Sequence, residues 1–199
     1  MNYCSACGSD GMTLTVPEGD TFERYVCRDC QNIFYSNPKI VAGCILEWQG
    51  KILLCRRSIN PAYGLWTVPA GFMENAESVL EAARREAREE ACAAADELYL
   101  QSIYNLKHVS QVYIMYRGIQ GMGAASAGHE TLEIKLCAEE NIPWESLAFP
   151  VVKEALQLYF ADRAQGTFSI HQGEITRDET QQLNISRYCE PHKNKELLP

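Results

Sequence analysis

Three carboxylates, Glu86, Glu89 and Glu90, fall at spacings of three and four residues inside a stretch running from about Ala76 to Ala95. That stretch is rich in Ala, Glu, Arg and Leu and contains neither Gly nor Pro, a composition that favours helix. On a helix, such spacing sends all three side chains out of one face towards one volume. Like charges so placed destabilise an isolated helix, so the arrangement calls for a cation. Hard oxygen ligands select Mg²⁺ or Mn²⁺ over zinc, and Mg²⁺ keeps several waters and bridges readily to phosphates. The helix is therefore expected to present its carboxylates to a divalent cation.

The sequence around that helix alternates strand and helix signals. Two β-rich runs, Lys39 to Trp48 and Lys51 to Arg57, flank Gln49-Gly50 and read as a hairpin. Pro61, Gly64 and Pro69 then break the chain ahead of Gly71. Further strands are expected at Leu98 to Leu106, Gln111 to Ile119 and Thr131 to Cys137. Between Val151 and Ala164, apolar residues at Val152, Ala155, Leu156, Tyr159 and Phe160 repeat with the period of an amphipathic helix. The pattern implies an α/β (α+β) domain, a mixed sheet sandwiched between helices, over residues 38–175. Residues 176–199 are polar and weakly periodic and are expected to form a poorly ordered C-terminal tail.

The first 37 residues carry a separate signal, Cys4-Ser-Ala-Cys7 and Cys27-Arg-Asp-Cys30. Two such turns present four thiolates to one ion and complete a closed tetrahedral zinc site, which makes the expected Zn²⁺ structural. A segment this short depends on its metal to fold. The remaining cysteines, Cys44, Cys55, Cys92, Cys137 and Cys189, are scattered and, within apolar strands, behave as small hydrophobes.

A net charge of −8 argues against a general nucleic-acid binder, and the ribbon itself carries more acidic than basic residues. No run reaches the roughly 18 apolar residues of a membrane span, and the N-terminus lacks the features of a secretory signal. A cytoplasmic protein with no membrane or nucleic-acid partner is the expectation.

The stretch from Gly71 to Ala93 resembles the Nudix box, G-x5-E-x7-R-E-U-x-E-E-x-G-U with U apolar. Gly71, Glu77, Arg85, Glu86, Ala87, Glu89, Glu90 and Ala93 occupy their motif positions, and Cys92 stands where the family usually has glycine. The resemblance implies a Nudix α/β/α sandwich in which Glu86, Glu89 and Glu90 bind Mg²⁺ or Mn²⁺. It implies that Glu77 and Arg85 form a structural ion pair beneath the loop opened by Gly71. The reaction would be in-line attack of water on a pyrophosphate. Where many relatives place a further catalytic glutamate, this chain has His129-Glu130-Thr-Leu-Glu133, with Glu133 favoured over Glu130 and His108 and His129 as lesser alternatives.

A Cys4 ribbon ahead of a Nudix domain also occurs in NADH pyrophosphatases, but the proline-rich motif of that group has no counterpart in IYNLKHVSQVYIMYRG. Over roughly Cys4 to Ile175 the chain is more similar to zinc-ribbon Nudix proteins that include plant plastid FAD and ADP-ribose pyrophosphatases. YSNPKIVAGCILEWQGKILLCRR, NPAYGLWTVPAGFME and NIPWESLAF carry that similarity. It implies a small-molecule dinucleotide substrate, FAD or ADP-ribose, with AMP and FMN or ribose 5-phosphate as products. Tyr63 and Phe72 offer surfaces for a flat ring, and Arg56 and Arg57 offer forked donors for phosphate. A NADH pyrophosphatase and a non-catalytic Nudix ligand sensor are the alternatives, the latter disfavoured because the glutamates are kept. A homodimer, with the ribbon buttressing the catalytic domain or the interface, is expected.

Overall fold

The computed structural model describes residues 1–95, 97–121 and 125–188. The chain divides into two compact units, Met1–Pro38 and Lys39–Pro199. In the first, β1 (Met12–Thr15), β2 (Arg24–Cys27) and β3 (Ile33–Phe34) form a small antiparallel sheet. Each cysteine pair closes a tight turn, with Gly8 N–H donating to the Cys4 carbonyl and Gln31 N–H to the Cys27 carbonyl. The residue after each pair, Gly8 at φ 77° and Gln31 at φ 59°, takes the left-handed conformation that such a turn needs.

All four sulfur atoms lie within 4.8 Å of one another. The Cys4–Cys30 and Cys7–Cys27 separations are both 3.6 Å. A tetrahedron with Zn–S bonds of about 2.3 Å has edges of about 3.8 Å, so the cluster has the dimensions a zinc ion requires. Backbone N–H groups of Cys30 and Asp29 lower the Cys27 thiol to about 6. Although the Ser9 N–H pulls Cys7 down, hydrogen bonds with Cys30 and Cys4 drive it up to about 12. Sulfurs sharing one small volume oppose one another's ionisation, and a dication relieves that conflict.

The second unit is built on β4 (Lys39–Trp48), β5 (Lys51–Arg57), β6 (Trp66–Thr67), β7 (Ala70–Phe72), α1 (Val79–Ala91), β8 (Leu98–Leu106), β9 (Gln111–Ile119), β10 (Thr131–Cys137), α2 (Pro150–Gln165), β11 (His171–Arg177) and β12 (Leu183–Arg187). The sheet runs β10-β5-β4-β9-β8-β11-β12, with β6 added to β5 and β7 to β4. Parallel pairs β4–β9 and β8–β11 sit among antiparallel ones, which makes the sheet mixed.

The central strands are apolar on both sides, and alternation splits their residues between two cores. Cys44, Leu46, Leu53 and Cys55 pack with Ala87 and Ala91 of α1. Ile45, Ile52 and Leu54 pack with Val152, Ala155, Leu156 and Tyr159 of α2. Small alanines let α1 approach closely, and the larger α2 residues fill the opposite layer. The result is the expected α/β/α sandwich.

Two local features differ from expectation. The stretch 176–187, expected as an irregular tail, contains the end of β11 and all of β12. What holds it is a buried charge: Glu154 of α2 accepts hydrogen bonds from Tyr104 Oη and Arg187 Nε, both at 2.8 Å. That bond ties β12 to the sheet and helix through a contact no local pattern reveals. Residues 189–199 lie outside the described residues. The second feature is α1, shorter than the favourable stretch 76–95. Ser78 starts it with a capping box to Glu81, and Cys92, left-handed at φ 48°, ends it. No helix among the described residues is long and apolar enough to cross a membrane.

Candidate active site

A cavity of about 840 Å³ opens along one end of the second unit's sheet, a size typical of small-molecule sites. Glu86, Glu89 and Glu90 of α1 line it, and the loop before β10 adds Glu130. The placement begins at Gly71: a Cβ there would overlap the Glu86 carboxylate, so glycine leaves that side chain its position against β7. Glu90 is buried and accepts a hydrogen bond from Ala70 N–H at 3.1 Å. Burial, with the nearby charges of Glu86 and Glu130, outweighs that bond and the pull of Arg57, and pushes Glu90 up to about 7. Glu86 is likewise raised, chiefly by burial. Crowded carboxylates held at a raised pKa form a donor set that a divalent cation fits, because the cation supplies the missing positive charge.

Arg85 organises the loop beneath them. Its Nε and Nη2 grip the two oxygens of Glu77 at 3.1 and 2.8 Å, and Nη2 also donates to the Phe72 carbonyl at 3.0 Å. Glu77 in turn accepts the Glu74 N–H at 2.7 Å. The pair shifts both groups towards their charged forms. Arg85 Nη1 also contacts Glu86 at 2.6 Å and Glu89 at 3.0 Å. Among the described residues, the four cysteines are the group whose donor atoms converge tightly. The box carboxylates share a cavity without converging, since a guanidinium nitrogen sits against two of them.

Of the two further glutamates, the structure brings Glu130 to this cluster and leaves Glu133 outside, the reverse of the order favoured from sequence. The cause is tertiary. Ser126 and Gly128 N–H groups bond to the Ala91 and Glu90 carbonyls at 2.9 Å each, docking the loop on the end of α1. A Cβ at Gly128 would overlap the Glu89 carbonyl, so the contact needs glycine. Glu133 instead lies on β10 opposite Arg56 and pairs with it at 3.4 Å, both side chains about half exposed.

The same alternation separates the neighbouring arginines. Arg57 lines the cavity, buried, with Nε bonded to the Pro61 carbonyl at 3.0 Å and its plane over Phe149 at 5.1 Å. Arg56 points elsewhere, its Nε on the Gly64 carbonyl at 2.9 Å, and is not among the cavity's lining residues. Phe72 lines the cavity with Lys39 over its ring at 5.0 Å, whereas Tyr63 is exposed and does not line it. His108 and His129 both reach the cavity wall, and His108 Nδ1 lies 3.3 Å from the Ile175 carbonyl. Sequence reasoning missed Ile59, Phe149 and Arg177. Ile59 and Phe149 sit in loops without a pattern, and Arg177 falls in the stretch read as tail.

Comparison with known proteins accords with this geometry. A NUDIX domain model matches residues 37–159, and a Nudix N-terminal model of the zinc-ribbon kind matches residues 2–36. The chain is 31% identical over 121 residues to the ADP-ribose pyrophosphatase of Methanocaldococcus jannaschii, covering 58% of this chain and 69% of that protein. It is 38% identical over 58 residues to phosphatase NudJ of Escherichia coli strain K12, spanning 29% of this chain and 37% of that one. Among solved structures, a NUDIX hydrolase from Nitrosomonas europaea superposes with a TM-score of 0.84 at 44% identity, covering 89% of this chain and 100% of that chain.

Proposed function

The chain belongs to the NUDIX family of hydrolases, and on that premise we propose that it cleaves the pyrophosphate of a nucleoside diphosphate derivative, FAD or ADP-ribose, to AMP and FMN or ribose 5-phosphate. The observation that carries this reading is the set of four carboxylates, Glu86, Glu89, Glu90 and Glu130, on one cavity large enough for a dinucleotide. The similarity to an ADP-ribose pyrophosphatase supports the substrate class.

In this reading Glu86, Glu89 and Glu90 hold Mg²⁺ or Mn²⁺. A divalent ion there polarises phosphoryl oxygens and lowers the pKa of a bound water. Glu130 accepts the proton of the attacking water, since it is the cavity carboxylate contributed by a loop rather than by the helix. Arg57, with its Nε committed to Pro61 and its face to Phe149, presents its remaining nitrogens to the substrate's phosphates. Arg85 and Glu77 keep the Gly71 loop in shape. The four cysteines hold a structural zinc.

Chromatographic analysis of AMP release from FAD, ADP-ribose and NADH by the full chain in Mg²⁺ or Mn²⁺ tests the proposal. The expected result is turnover of FAD or ADP-ribose in preference to NADH, reduced at least about 100-fold in Glu90→Gln. Preference for NADH, or turnover untouched by the substitution, would overturn it.

A further inference from the structure

The cavity extends well beyond the carboxylates. Phe72 and Gly71 lie on β7, and the sheet order interposes β4, β9 and β8 between β7 and β11. Four strand spacings of about 4.8 Å place β11 roughly 19 Å from β7 along the sheet. Arg177, the last residue of β11, nevertheless lines the same cavity. Arg177 therefore lies several strands along the cavity from the carboxylates, where the part of a substrate remote from the cleaved bond would sit.

Its surroundings say what that part is. Arg177 Nη1 is fixed by the Gln181 carbonyl at 2.8 Å, and among the described residues the side chain has no carboxylate partner. Of the apolar residues that line the cavity at this end, Leu106 is buried in the core and Val109, 48% exposed, is the one that offers open surface. An oriented planar guanidinium next to open apolar surface suits a flat ring with acceptor atoms along one edge, since the ring covers the surface and the fork meets the edge. A sugar phosphate would leave the apolar wall wet.

We propose that Arg177 is a specificity-determining residue that binds the heterocycle at the end of the substrate remote from the cleaved pyrophosphate, a nucleobase or a flavin. This rests on the pyrophosphatase reading and adds that the preferred substrates are two-ended, long enough to span the cavity. The hairpin turn is independently held by Asp178, whose Oδ1 accepts bonds from Thr180 N–H and Gln182 N–H at 2.9 and 3.0 Å, so removing the arginine leaves it formed.

The test uses the full chain, Arg177→Ala and Arg177→Lys. Binding of FAD and of ADP-ribose is measured by titration calorimetry with divalent metal chelated, and KM and kcat are measured with Mg²⁺. For the ligand that the unsubstituted protein binds more tightly, Arg177→Ala should weaken binding and raise KM about tenfold, with kcat within about twofold and an unchanged melting temperature. Lysine, lacking the fork, should recover only part of the loss. Unchanged Kd and KM in Arg177→Ala, a loss confined to kcat, full recovery with lysine, or no binding of either ligand by the unsubstituted protein would each overturn the inference. Arg177-dependent binding without turnover would leave it standing and overturn the hydrolase substrate reading instead.

Discussion

The residue with the largest conflict of forces is Glu90. Folding buries its carboxylate beside Glu86 and Glu130, and its pKa rises from 4.5 to about 7. A carboxyl group whose pKa is higher folded than unfolded binds its proton more tightly in the native state. Its charge then costs stability, absent below about pH 4.5 and growing as pH rises through about 7. With metal chelated, Glu90→Gln should remove that penalty. The variant should gain on the order of 2–3 kcal/mol over the unsubstituted protein at pH 8, and little of that at pH 5, in urea unfolding followed at both pH values. A stability difference that does not change with pH would show that Glu90 is not strained by burial. The box residues were legible in sequence because helical spacing converts directly into a shared face. Which of Glu130 and Glu133 lines the cavity was not, since the two stand three residues apart in similar local sequence. It turns on Gly128 docking against the end of α1.

At the scale of the element, α1 shows how a departure from the family pattern is absorbed. Cys92 stands where glycine is usual in the Nudix box. Cys92 adopts φ 48° and ψ 26°, the left-handed conformation glycine takes most readily, and its N–H caps the Ala87 and Arg88 carbonyls. A side chain in that region costs about 1 kcal/mol. Cys92→Gly should therefore raise stability by about 0.5–1 kcal/mol, read as a higher urea midpoint with an unchanged slope, and a lower midpoint would contradict the account. The strands Lys39–Trp48, Lys51–Arg57, Leu98–Leu106, Gln111–Ile119 and Thr131–Cys137 were readable because long apolar or alternating runs between turn signals leave few other options. β12 was not, because its residues are mostly exposed and its anchor, Arg187 on Glu154, crosses 33 residues of sequence.

Across the molecule, the catalytic unit assembles its cavity from elements far apart in sequence: α1, the loop before β10, the end of β5 and the end of β11. The sheet order that brings them together, with β9 and β8 lying between β4 and β11, is a property of tertiary pairing that local pattern does not encode. The ribbon was readable outright, because two Cys-x-x-Cys turns leave a short segment little else to fold around. Of the residues that line the cavity, the sequence had already named Glu86, Glu89, Glu90, Glu130, Arg57, Phe72, His108 and His129, and the fold added Arg177.

In the proposed hydrolysis the cavity's four carboxylates act together and Glu133 has no part. The direct measurement is the rate of AMP release in Mg²⁺ from the preferred dinucleotide by Glu130→Gln and by Glu133→Gln, side by side. Glu130→Gln should lose at least about 100-fold in kcat, and Glu133→Gln should change within about twofold. The opposite ranking, with Glu133→Gln crippled and Glu130→Gln near normal, would contradict it.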